Sequence, residues 1–200
     1  NDVILTPGQQ TGVYKYAGTN TTAPTAVSNA PTAVNGLLVD SNQVFVWGDA
    51  GVTNQIDTSD VGDETDWTPA ADSEAFTDVI EGAEEFISGI VVQGVVVLFT
   101  RNQVWQNRYV GKPKIRTTKR LDTTDGIISP IARSVVADKC FFVGLQDFYI
   151  TDGTDVIPIP NNTLKRWFFD NINDAQAWKC FSWVNRTFNE VWFHFPFGAS

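Results

Sequence analysis

The sequence predicts an all-β chain organised as a β-propeller, about four antiparallel blades or part-blades of a larger array, on three observations. Segments 36–48 (GLLVDSNQVFVWG), 89–101 (GIVVQGVVVLFTR), 134–144 (SVVADKCFFVG) and 181–193 (FSWVNRTFNEVWF) repeat one pattern: an apolar strand, a short polar turn, and a second apolar strand rich in aromatics near its end. Their starts at Gly36, Gly89, Ser134 and Phe181 lie 45 to 53 residues apart, the period of a four-stranded blade. Seven Trp and fourteen Phe among 200 residues, with 42% hydrophobic and 18% charged, favour β structure around a buried core over a helical bundle. A blade array presents surface to partners more readily than it builds a pocket.

Taken in order, residues 1–35 read as an N-terminal strand (GVYKYAG, 12–18) and an extended connector containing Pro24 and Pro31. Blades are expected over 36–200. Leu37–Val39 and Val44–Trp47 flank the turn Asp40-Ser41-Asn42; an acidic stretch follows from Asp49 to Glu85, with Trp67 expected to pack back on its blade. The run Ile87 to Phe99 is too short for a membrane span and reads as a hairpin turning at Gln93-Gly94. Val104–Val110 gives the next strand. The third unit is the clearest, with Val135-Val136, Cys140–Val143, Phe148–Ile150 and Val156–Ile159 as four strands, and Asp152-Gly153 as a tight turn. Helix signals are confined to Thr163–Phe169, capped by Asn161 or Asn162, and Asp174–Trp178. The last hairpin turns at Asn185-Arg186-Thr187.

The net charge of −9 is unevenly spread. Residues 1–100 hold fourteen Asp and Glu against Lys15 alone, whereas residues 101–200 hold thirteen Lys and Arg against nine acids. Seven bases crowd into 101–120: Arg101, Arg108, Lys112, Lys114, Arg116, Lys119 and Arg120. Such asymmetry points to surfaces that meet a complementary partner. A run of phosphate contacts is the competing reading of those bases, but Trp105 and Tyr109 lie before most of them, so stacking on single strands is weak. Contact between the basic segment of one subunit and the acidic 57–85 loop of another is therefore favoured. Cys140 and Cys180 lie in apolar strands without a second ligand at metal spacing, and read as buried free thiols.

Asp57, Asp60, Asp63, Glu64 and Asp66 form the densest carboxylate cluster, but their spacing does not follow the calcium-loop pattern. The same loop, SDVGDETDW, approaches the aspartate-box repeat of sialidase-type propellers and raises a glycan-binding or glycan-cleaving propeller as the alternative. The register fails, since Val61 stands where that repeat needs its acid. Glycoside cleavage needs carboxylates facing across a cleft, which nothing in the spacing of Asp66, Asp72, Glu74 and Asp78 provides. His194, the only histidine, alternates with Val191, Phe193 and Phe195 and reads as a packing or hydrogen-bonding residue rather than a catalytic base.

The segments IDTSDVGDETDWTP (56–69), ISGIVVQGVVVLFTRNQVW (87–105), GIISPIARSVVADKCFFVGLQDFYITDGTDVIPI (126–159) and FNEVWFHFP (188–196) resemble the propeller-bearing tail proteins of tailed bacteriophages, the nozzle and tail-tube group of short-tailed phages. The resemblance spans residues 30–197 and rests on three features: the Ser-Asp…Trp segment, the Gly-x-x-Ser-Pro turn, and the aromatic-x-x-Asp-Gly hairpin. It implies a structural virion component of the phage tail, with copies of itself arranged in a ring that contacts other tail or adaptor proteins. Such a ring surrounds the channel through which DNA leaves and touches it transiently. The resemblance implies no catalytic residue, no cofactor and no membrane insertion. Members of that group are longer, so the chain is expected to be a segment of a longer protein.

Overall fold

The computed structural model describes residues 3–7, 11–18, 23–121 and 125–198. It is all-β, the described residues forming five antiparallel sheets and one α-helix. The first sheet comprises β1 (Val3–Leu5), β2 (Tyr14–Tyr16) and β3 (Thr25–Ala26). Three four-stranded sheets follow. These are β4 (Gly36–Asp40), β5 (Gln43–Trp47), β6 (Gln55–Thr58) and β7 (Phe76–Val79); β8 (Ser88–Val92), β9 (Val95–Phe99), β10 (Val104–Gly111) and β11 (Ile115–Arg120); and β12 (Arg133–Val136), β13 (Lys139–Val143), β14 (Phe148–Thr151) and β15 (Val156–Pro158). Helix α1 (Asn162–Asn171) and a 3-10 turn over Asp174–Lys179 lead to the two-stranded sheet β16 (Phe181–Asn185) and β17 (Glu190–His194). Each four-stranded sheet pairs its strands in sequence order, and among the described residues the sheets share no hydrogen-bonded ladder. A series of antiparallel sheets is what the structure establishes; they do not close into a barrel.

The repeated hairpins have a common local cause. Turn residues Ser41-Asn42, Gln93-Gly94 and Ala137-Asp138 all adopt positive φ, between 48° and 72°, the geometry whose twist suits a two-residue hairpin. Apolar residues on both faces of β5 and β9 then bury completely, because each of these strands lies between two neighbouring sheets.

The core is built at those inter-sheet seams. Ile4 and Val13 of the first sheet's region meet Leu37, Val44 and Val46. On the opposite face, Leu38, Phe45, Trp47 and Ile56 meet Val91, Val96, Leu98 and Trp105 of the β8–β11 sheet. That sheet's other face offers Val92, Val97, Phe99 and Val104 to Cys140 and Phe142, with the Phe99 and Phe142 rings edge-on at 4.9 Å. The fourth seam joins Phe148 to Phe193 at 5.9 Å and Ser134 to Ser182 through a 2.8 Å hydroxyl bond. First strands lie side by side, β4 against β8 and β12 against β16. Gly36 makes room for the ring of its cross-strand neighbour Trp47, from which a Cβ there would stand 2.3 Å.

Several expectations are refined. The N-terminal segment contributes three strands rather than one, although 8–10 and 19–22 lie outside the described residues. Trp67 does pack back, joining Val13, Val34, Val44 and Val46, with its Nε1–H donated to the Glu64 carbonyl at 2.7 Å. The helix over 162–171 is capped by Asn161, whose Oδ1 accepts the Leu164 amide at 3.0 Å. Cys140 and Cys180 are buried and free.

Candidate functional site

The basic segment is a hairpin, β10–β11, and six of its seven bases are exposed: Arg101, Arg108, Lys112, Lys114, Lys119 and Arg120. Among the described residues no ion pair joins any of the six to a carboxylate. Lys112 instead donates to the Ala71 carbonyl at 2.8 Å, Lys114 to Thr117 Oγ1 at 3.4 Å and Arg101 to the Ile128 carbonyl at 3.2 Å.

Arg116 requires a correction, for it is wholly buried and is no part of any surface. Its guanidinium donates to Asp40 Oδ2 at 2.7 Å, Asn107 Oδ1 at 2.8 Å and Gln43 Oε1 at 3.0 and 3.2 Å. It sits over the rings of Phe45 at 5.1 Å and Tyr109 at 5.9 Å. Burial pulls its pKa down, against the opposing pull of Asp40. Gln43, held by this fork, passes its own amide to the carbonyls of Ser59 (3.0 Å) and Glu74 (2.8 Å). Arg116 thus ties the outer hairpin of one sheet to the first turn of the preceding one and, through Gln43, to the acidic segment.

The acidic segment lies alongside the basic hairpin within the same chain. Tyr109 donates to Glu74, which raises the phenol's pKa, and Glu84 accepts from Thr100 and Asn102. Pro69, Ala71 and Phe76 of the acidic segment and Lys112, Lys114 and Ile115 of the hairpin line a shared cavity. Of the five clustered acids, Asp57 is buried on β6 beside Gln55, and burial raises its pKa. Asp60 accepts the Glu74 amide at 2.6 Å and Asp66 the Thr68 amide at 3.0 Å. Asp63 accepts from Thr65, whose hydroxyl and amide lower its pKa. Glu64 pairs with Lys15 at 2.5 Å, a hydrogen bond that lowers the carboxyl's pKa. Each carboxylate is occupied in holding the loop, and no group of three metal-ligating side chains is found among the described residues.

Sequence reasoning missed one feature. The β16–β17 hairpin has two faces of different fate: Ser182, Val184, Val191 and Phe193 turn to the β12–β15 sheet and are half-buried, whereas Phe181, Trp183, Trp192 and His194 are exposed. Phe181 stacks on His194 at 4.6 Å, and Trp183 lies 5.3 Å from Trp192. Trp183 Nε1–H donates to His194 Nε2 at 2.8 Å, and Trp192 Nε1–H to Glu190 at 2.9 Å. Both indole donors are satisfied inside the patch, which combines exposed ring faces with the exposed Glu190 carboxylate. Alternation placed Trp192 and His194 on one face; that nothing covers this face was invisible without the neighbouring sheet. His194 here is a hydrogen-bond acceptor in an aromatic stack, with no nucleophile bonded to it. No family model matches this chain, and a search of curated proteins finds no match.

Proposed function

We propose that the chain forms consecutive blades of a β-propeller in a structural protein of a phage tail, where it contributes to the DNA-ejection conduit and its assembly interfaces. The observation that carries the blade reading is the succession of three four-stranded antiparallel meanders, each opening with the same positive-φ hairpin and each meeting the next through an apolar seam. Laying first strands side by side around an axis is how blade arrays pack, and the contacts β4 with β8 and β12 with β16 agree with it. The tail assignment is supported by the resemblance of segments 56–69, 87–105, 126–159 and 188–196 to phage nozzle and tail-tube proteins. A structural rather than catalytic role agrees with carboxylates committed to loop hydrogen bonds and a single histidine held in a stack. The six exposed bases and the exposed acids of 57–85, among them Asp72, Asp78, Glu81 and Glu85, are assigned to contacts with neighbouring copies or tail partners, with DNA touched only transiently.

Immunogold labelling of purified phage particles with antibody to residues 36–198, followed by cryo-electron microscopy of the same particles, tests both parts. Label on the tail, and radial four-stranded sheets around the channel, are expected. Particles free of label, or glycan hydrolysis by the purified protein, overturn the proposal.

A further inference from the structure

Between the tip of the β10–β11 hairpin and the segment leading into β7 lies a cavity of about 530 Å³, within the size range of small-molecule sites. Its walls are apolar, formed by Pro69, Ala71 and Phe76 on one side and by Pro113 and Ile115 on the other. The hairpin tip adopts an unusual backbone conformation to supply its share. Ile115 has a φ of 62° and its cross-strand neighbour Gly111 a φ of 73°, beside a shift in register after Tyr109. A positive φ is strained for a β-branched residue, and such strain collects at ligand sites. Ile115 is nevertheless only 9% exposed, and it lines the cavity.

Two lysines give this apolar hollow a charge. Lys112 and Lys114 both border it, and among the described residues neither pairs with a carboxylate. Each ammonium has three N–H donors and commits one within the protein, Lys112 to the Ala71 carbonyl at 2.8 Å and Lys114 to Thr117 Oγ1 at 3.4 Å. Two donors on each remain for a ligand. Asp72 and Glu74, the nearest acids in sequence, do not border the cavity, and Glu74 is engaged by Tyr109.

We infer that this cavity binds an organic phosphomonoester, with its apolar body between Pro69, Phe76 and Pro113 and its phosphate on Lys112 and Lys114. Two points select that class. A phosphomonoester carries a charge of about −1.5 to −2 at neutral pH, which matches the two ammoniums, whereas a carboxylate leaves one of them uncompensated. An inorganic anion would satisfy the lysines but leave the apolar walls in water. The inference goes beyond the assembly role proposed above and does not depend on it, since the cavity lies between the β4–β7 and β8–β11 sheets whatever those sheets belong to.

Titration of the isotope-labelled protein with phenyl phosphate, followed by amide chemical shifts at constant ionic strength, tests it. Phenyl phosphate should shift the amides of Ala71, Phe76, Thr77 and Ile115 saturably, all of them residues lining the cavity, and benzoate and inorganic phosphate should each bind more weakly. Lys112→Gln and Lys114→Gln should each weaken binding by up to about fivefold, the worth of one exposed ion pair. Ala71→Phe, which fills the hollow and keeps both lysines, should abolish binding while circular dichroism stays that of the wild type. If phenyl phosphate shifts these amides no more than inorganic phosphate does, the lysines are an ordinary charged surface and the inference is wrong. It is equally wrong if benzoate binds as tightly, or if the folded Lys112→Gln/Lys114→Gln double variant binds as well as the wild type. None of these outcomes bears on where antibody labels a virion, so either proposal can fail alone.

Discussion

Asp40→Asn should be among the most damaging conservative substitutions in this protein. The exchange keeps the shape of the side chain and removes its charge, leaving Arg116, which has no exposed surface, without the one carboxylate it pairs with among the described residues. Two neutral acceptors remain, Gln43 and Asn107, and the Phe45 and Tyr109 rings offer the guanidinium a weaker electrostatic partner. Breaking a buried pair by removing one partner costs about 3–5 kcal/mol. For a chain of this size each kcal/mol moves the melting temperature by about 2–4 °C, so the midpoint should fall by about 6–20 °C. Arg116→Met should cost a similar amount, because Asp40 is then the buried orphan. The double variant Asp40→Leu/Arg116→Met should lose less than either single change, as buried pairs are often replaceable by apolar residues at little net cost. Urea titrations followed by tryptophan fluorescence, with a thermal scan of each variant, give the four corners of the cycle. A fall of less than about 2 °C for Asp40→Asn, or strict additivity in the double variant, would show that Arg116 is adequately held without Asp40 and refute the reasoning.

Alkaline pH should weaken the fold. Burial pushes the Cys140 thiol up to about 12 and Cys180 to about 11, and the phenols of Tyr149 and Tyr109 are raised as well. Above a pH near 9 the unfolded chain releases protons that the folded chain retains, so stability holds below that point and declines as pH rises toward 12; Cys140→Ala should flatten the decline in a pH series of urea midpoints. Thiol titration without reductant should find both cysteines after denaturation and react slowly with the native protein; fewer than two groups would mean that a disulfide forms. Gly126→Ala should destabilise by about 1–3 kcal/mol, since a Cβ there would stand 2.2 Å from the Thr100 carbonyl oxygen and 2.6 Å from the Arg101 carbonyl carbon, backbone atoms unable to swing aside; an unchanged urea midpoint would contradict it. Reversing Lys112, Lys114 and Lys119 to Glu should slow assembly most at low salt, and rates matching wild type at every ionic strength would mean that the basic hairpin is merely solvated.

How much of this was legible depended on whether the signal was local. The β12–β15 sheet could be read strand by strand, because each apolar run is short and bounded by turn residues such as Ala137-Asp138 and Asp152-Gly153. The helix cap was narrowed to Asn161 or Asn162 for the same reason, and the structure selects Asn161. Arg116 was not, since Ile-Arg-Thr-Thr-Lys-Arg has the look of a solvated strand and its partners Gln43 and Asp40 lie 73 and 76 residues away in sequence. Strands β1 and β3 escaped notice through their brevity, three and two residues. Among the candidate site residues, exposure followed expectation for six bases, while Asp57 and Arg116 were drawn inside by hydrogen bonds that no periodicity encodes.

The charged segments and the aromatic face suit different parts of an assembly, and the magnitudes say which. Exposed ion pairs contribute about 0–1 kcal/mol each, and a Debye length of about 8 Å in physiological salt weakens them further. Six exposed bases therefore guide encounter and register more than they hold copies together. An aromatic side chain buries about 150–250 Å², so covering the exposed part of Phe181, Trp183 and Trp192 removes on the order of 200–300 Å² from water, or about 5–8 kcal/mol at about 25 cal/mol per Å². Association itself costs about 4–15 kcal/mol in lost freedom, so neither the exposed bases nor this aromatic patch alone holds two molecules together, and a stable assembly would have to add further buried surface to both.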